Sequence, residues 1–250
     1  MRPGVLKRAL VVVGCGALTV TLAACESTES ESAKIDREAA AARESEPGAL
    51  KLGAPNRAVR ASQVTLLDTS GRKAVAVRLT STAAREQIDV PVLVEVTGEG
   101  GKLVYSNQFG GSEAALQHIA RLPSHGSAWW VNDAVLANQA VSKVRVRVGT
   151  GAAPPRSRRP APLIGVRATR VVRKPGASSV GGVLVNRSTR RQRKVPVFAV
   201  ALRGGKVVAA GRAIVAVLRR GPGASAPFQI ALVGDATGAK VELTAVATGS

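Results

Sequence analysis

Valine alternates with positive charge over residues 143–149, KVRVRVG, which puts Val144, Val146 and Val148 on one face and Lys143, Arg145 and Arg147 on the other. A period of two is the mark of a strand with one buried face. The runs VPVLVEV (residues 90–96) and VPVFAVAL (residues 195–202) are more apolar and predict strands buried more deeply. Each leads into a glycine turn, Gly98-Glu99-Gly100-Gly101 in one and Gly204-Gly205 in the other, as a hairpin requires. No segment of either half sustains a helical period.

The two halves align as an internal repeat. VPVLVEVTGEGGKLV matches VPVFAVALRGGKVV, KAVAVRLTST matches SSVGGVLVNRS, and SKVRVRVGTG matches AKVELTAVATG. LPSHGSAWWV matches GPGASAPFQI when Pro123 is set on Pro222, and the first half carries extra residues around QFGGSEAAL. Each half reads as about six antiparallel strands, and two such sheets packed face to face make an immunoglobulin-like sandwich. The expected fold is therefore all-β, with two tandem immunoglobulin-like sandwiches at residues 51–149 and 164–250. Between them, residues 150–163 hold a Pro- and Arg-rich stretch that reads as a linker. The second half resembles the FxLYD-type β-sandwich domain of bacterial secreted proteins and lipoproteins. The likeness rests on the strand ending in Asn186-Arg187-Ser188, the run to Leu202, GGKVVAAG and GPGASAPFQI; Arg203 and Gly204 stand where the family has Tyr and Asp. That resemblance implies little enzymatic function.

The N-terminus is of another kind. Arg2, Lys7 and Arg8 precede an apolar run over residues 9–24, shorter than the roughly 20 residues of a membrane-spanning helix. This reads as a targeting segment and is set aside from the fold. Leu22-Ala23-Ala24-Cys25 resembles the lipobox of bacterial lipoprotein signal peptides. The resemblance implies cleavage after residue 24, a diacylglyceryl group on the Cys25 thiol, and anchorage on the extracytoplasmic face of the cell membrane. Two acyl chains hold stably where one does not, at ~0.8 kcal/mol per buried CH₂. Residues 25–50 are acidic, lack apolar periodicity and read as a disordered tether, with a transient helix in REAAAARE as the alternative. The chain's two cysteines, Cys15 and Cys25, both lie in the first 25 residues, so no disulfide is expected in the sandwiches.

Composition then narrows function. Residues 151–250 carry 18 bases and two acids, against 12 bases and seven acids in residues 51–150. A balance of +16 on the second half points to an anionic partner: lipid headgroups, a phosphate-bearing wall polymer or an acidic protein. Nucleic acid is disfavoured by the extracytoplasmic address and by an aromatic content of 2%. No cofactor or metal is expected: there is no H-E-x-x-H, and His118 and His125 read as surface or loop residues. No G-x-S-x-G or phosphate-binding loop occurs, and the expectation is a protein that is not an enzyme.

Two sites are expected. Strand alternation and the repeat put Trp129 on Phe228, hence in the core, and leave Trp130 exposed as a binding platform or as cover for a sheet edge. With six consecutive antiparallel strands in the second half, alternate loops fall at the same end. Arg187, Arg190, Arg191, Arg193 and Lys194 then share a pole with Arg219 and Arg220, while Arg173, Lys174, Arg203, Lys206 and Lys240 gather at the other. The leading expectation is a lipid-anchored binding or scaffold protein with a basic pole. The rival is a protein-binding subunit of an envelope complex, or an accessory to an envelope enzyme.

Overall fold

Runs of β-branched valine interrupted by glycine turns favour pleated sheet over helix, and fourteen strands result among the described residues. In the first half these are β1 (Val59–Thr69), β2 (Arg72–Ser81), β3 (Gln87–Gly98), β4 (Leu103–Ser106), β5 (His118–Leu122), β6 (Ser127–Asn132) and β7 (Val141–Val148). In the second they are β8 (Ile164–Val172), β9 (Ser179–Asn186), β10 (Gln192–Arg203), β11 (Lys206–Leu218), β12 (Ser225–Ala231), β13 (Val233–Gly234) and β14 (Lys240–Ala245). This computed structural model describes residues 34–248 except 36, 40, 43, 44, 70, 110, 111, 153–162, 174–176 and 222. The targeting segment, Cys25, Lys174 and most of the Pro/Arg stretch lie outside the described residues. The described residues from 41 to 248 belong to one compact unit.

All strand pairs are antiparallel. In the first sandwich, β1–β2–β6 faces a sheet centred on β3, which has β7 on one side and β4 and β5 in line on the other. In the second, β8–β9–β12 faces β13–β11–β10–β14. The repeat is visible in the pairing: β2 is central as β9 is, and β3 pairs with β7 as β10 pairs with β14. The thirteen-residue β11 corresponds to β4 plus β5, split by an insert at the expected QFGGSEAAL. Buried Asn107 closes the gap in the ladder. Its side-chain oxygen accepts from the Val94 N–H and its Nδ2 donates to the Val92 and Leu116 carbonyls, so β3 keeps its hydrogen bonds where no strand lies beside it.

The sandwiches do not sit apart on a linker. Phe198 and Val200, on the outer face of β10, belong to the same buried cluster as Ala74, Ala76, Trp129 and Val131 of the first sandwich. The inner faces of β9–β12 and β10–β11 form a second cluster. The middle stretches of strands β2 and β10 are therefore buried on both faces, and Ala74, Val75, Ala76 and Val77 are all 0% exposed. This is why β10 reads as an unbroken apolar run.

Before β1 the chain shows the helix read as the alternative in REAAAARE. The described positions among residues 34–45 are helical, in keeping with the high helix propensity of alanine. Leu50 and Leu52 are buried against Leu93 on the outer face of β3. Gly149 permits this approach: a Cβ there would stand 1.8 Å from the Leu52 carbonyl oxygen.

Candidate functional site

The loop after β9 and the loop after β11 meet at one end of the second sandwich, and one fully buried side chain ties them. Asn186 Nδ2 donates to the Arg190 carbonyl at 2.6 Å and to the Arg219 carbonyl at 2.8 Å, while its oxygen accepts from the Ser188 N–H and hydroxyl. Gly221 N–H donates to the Ser188 carbonyl across the same junction. Arg187, Arg191, Arg193, Lys194, Arg219 and Arg220 are exposed and Arg190 is half-buried. Among the described residues none of these side chains forms an ion pair. The second half holds only Asp235 and Glu242 as acids, and both are engaged elsewhere.

The opposite end is built differently. There the guanidinium of Arg173 donates to the Ala236 and Ala239 carbonyls, and Arg203 donates to the Thr237 carbonyl and pairs with Asp235. Those arginines spend their donors on loop backbone, and backbone and side-chain hydrogen bonds from Thr237 lower the Asp235 pKa. At the basic pole Asn186 already satisfies the loop carbonyls, so among the described residues the basic side chains there form no ion pair and face solvent or a ligand.

The tryptophan pair corrects the sequence reading. The two rings do point to opposite faces, but neither is exposed. Trp130 is 0% exposed, lies opposite Val77 and donates from Nε1 to the Ala115 carbonyl of the insert, inside the first sandwich. It offers no platform to a ligand. Trp129 points the other way, into the contact with the second sandwich. Its Nε1 donates to Glu242 at 3.0 Å, and Arg78 stands 5.7 Å from its ring centroid. The Trp129 hydrogen bond is the main cause of a lowered Glu242 pKa. Phe228, opposite Gly182, is the inward residue of β12, so its counterpart is Trp130. The alignment on Pro123 and Pro222 is one residue off, and a one-residue slip exchanges faces.

Arg212 of β11, which no motif singled out, joins the sandwiches. Its Nε and backbone N–H donate to the two Asp133 oxygens at 3.1 Å, and its Nη1 meets Glu113 at 2.5 Å. An arginine inside the apolar run AAGRAIV was the available signal. Beside this clamp lies a groove of about 490 Å³, lined by Asp89, Glu113 and His118 from the first sandwich and by Arg193, Lys194 and Ile214 from the second. His118 is half-buried in β5 and not a surface histidine; burial lowers its pKa against an opposing pull from Asp89. His125 is exposed in the β5–β6 turn. Among the described residues no three potential metal ligands gather, and no helix is long and apolar enough to cross a membrane.

No family model matches the chain, and no curated protein does. Among solved structures, red sea bream transglutaminase aligns over 76% of this chain and 32% of its own, at 12% identity and a TM-score of 0.20. The chain thus spans about a third of that protein, and a likeness of that score carries no argument. The class defined by the fold alone is an all-β protein of two antiparallel sandwiches.

Proposed function

We propose that this is a lipid-anchored, extracytoplasmic binding or scaffold protein that holds an anionic envelope component at the basic pole of its second sandwich. The observation that carries the reading is a cluster of bases, from Arg187 to Lys194 with Arg219 and Arg220, that has no carboxylate partner among the described residues. Like charges held together repel, and a phosphate-bearing surface relieves that repulsion. Each base near an anionic membrane contributes about 1 kcal/mol at ordinary ionic strength. The lipobox-like Leu22-Ala23-Ala24-Cys25 supports the address.

The test uses the full-length chain with Arg190, Arg191, Arg193 and Lys194 changed together to Gln. Binding to phosphatidylglycerol vesicles, neutral phosphatidylcholine vesicles and poly(glycerol phosphate) is compared across a salt series. The lipid anchor contributes equally to parent and variant, so the excess on anionic probes reports the pole. The variant loses most of that excess, whereas Arg203→Gln keeps it. Equal loss from both variants means diffuse attraction and removes the site.

A further inference from the structure

We propose that the groove between the sandwiches binds a short peptide by both of its charged ends. Asp89 and Lys194 each immediately precede a Val-Pro-Val, at equivalent places in the repeat. Each has left-handed backbone, φ 50° and 49°, a region that non-glycine residues seldom adopt. Neither has a cross-strand partner in its ladder, although both neighbours do. The kink recurs, so the architecture sets it. The residue at the kink does not recur: it is an acid in one sandwich and a base in the other, and both line one groove.

Glu113 is taken by Arg212, but Asp89, Arg193 and Lys194 form no ion pair among the described residues, although Asp89 also acts on the half-buried His118 of the same lining. A purely anionic ligand leaves Asp89 unexplained, and a cation leaves Arg193 and Lys194 unexplained. A zwitterion satisfies all three: its ammonium meets Asp89 and its carboxylate meets Arg193 and Lys194. Ala114, Ala120, Pro196 and Ile214 on the same lining suit small apolar side chains. A volume of about 490 Å³ is in the range of small-ligand sites. Holding a non-glycine residue in a strained conformation at a ligand contact is a recognised place for fold energy to be spent on function.

This inference goes beyond the basic pole, although Arg193 and Lys194 serve both. Calorimetric titration of the full chain in detergent micelles uses trialanine, N-acetyl-trialanine and trialanine amide. Trialanine binds saturably, and blocking either end weakens it by about tenfold, the loss expected for one charge-assisted contact. Asp89→Asn weakens trialanine and leaves the acetylated peptide unaffected. Lys194→Gly relaxes the left-handed backbone, so it raises the unfolding temperature while weakening trialanine and not the amide. No saturable binding, or equal binding of the three peptides, overturns the proposal. So does an equal loss from Arg190→Gln with Arg191→Gln, which belong to the pole and not to the groove. Failure of the anionic-polymer test leaves these outcomes readable, because they depend on peptide ends and not on polymer charge.

Discussion

The centre strands β3 and β10 start alike, VPVLVEV and VPVFAVA, and end in different surroundings. Their inward faces are interchangeable: Val92, Val94 and Val96 in one, Val197, Ala199 and Ala201 in the other, all buried. Their outward faces are not. Leu93, Glu95 and Thr97 look away from the first core, where Leu50 and Leu52 cover only Leu93. Phe198, Val200 and Leu202 hold the same places on β10 and are packed against the first sandwich. The neighbouring strands agree, since Arg147, Arg145 and Lys143 of β7 correspond to Thr244, Glu242 and Lys240 of β14. Three outward positions thus decide which copy of a repeated sheet gains a second buried face. The contact is head-to-tail, between unlike faces, and such contacts extend indefinitely unless an end is blocked. Charge blocks both ends here: Glu95 with Arg145 and Arg147 on one free face, exposed Arg167 and Arg170 on the other.

Exchanging one residue between the strands gives the largest effect. Val200→Glu places a carboxylate in a fully buried position directly opposite Glu242. Burial of an unpaired charge beside a like charge costs more than about 5 kcal/mol, comparable to the whole stability of many domains. The reverse change, Glu95→Val, alters stability by less than about 1 kcal/mol but makes the free face of the first sandwich adhesive. Chemical denaturation and sedimentation velocity read the two outcomes. A folded Val200→Glu protein of near-parental stability contradicts the stacking of the sheets.

The inward aromatic residues give the next comparison. Trp130 and Phe228 occupy the same place in the two sandwiches, with Val77 opposite one and Gly182 opposite the other. A Cβ on Gly182 would come within 2.8 Å of the Phe228 ring, so the smaller ring is fitted by a missing side chain. Trp130→Ala and Phe228→Ala each cost about 3–5 kcal/mol in a denaturant titration. A Trp130→Ala protein losing less than about 1 kcal/mol returns Trp130 to the surface.

How far the sequence carries follows from these same residues. The alternation of β7 and the apolar run of β10 are legible because burial imposes a period of two, or none, on any strand. The two loops of the basic pole can be placed together from sequence because consecutive strands that alternate in direction put alternate loops at the same end, whichever sheet each strand joins. The partner of β10's outer face is not legible, since Phe198 and Val200 state only that something covers them. The tryptophan faces are lost through an alignment anchored across turns of unequal length. Asn107 and Arg212 escape because their partners are backbone carbonyls, amides or distant carboxylates, which no local pattern encodes, and of Asn186 only the bonds to Ser188 and Arg190 are local while the tie to Arg219 is not. Cys25 and the lipobox, conversely, are read from sequence alone and lie outside the described residues.

The smallest effect concerns Glu242, whose counterpart Arg145 faces solvent on the free sheet. Trp129 Nε1–H donates to the Glu242 carboxylate, and this hydrogen bond, ahead of the nearby Lys240 and Arg78 charges, holds its pKa below the ordinary 4.5. A carboxylate with a depressed folded-state pKa binds its proton more readily when unfolded. The contribution is therefore fully present above the unfolded value and fades as pH falls through the lower folded one. Trp129→Phe keeps the ring in the contact between sandwiches and removes the donor. The parent then loses more stability than Trp129→Phe as denaturation is followed from pH 6 down to pH 3, and the difference between them shrinks in acid. Equal losses across that range mean that Trp129 packs against the second sandwich without holding Glu242 in its charged form.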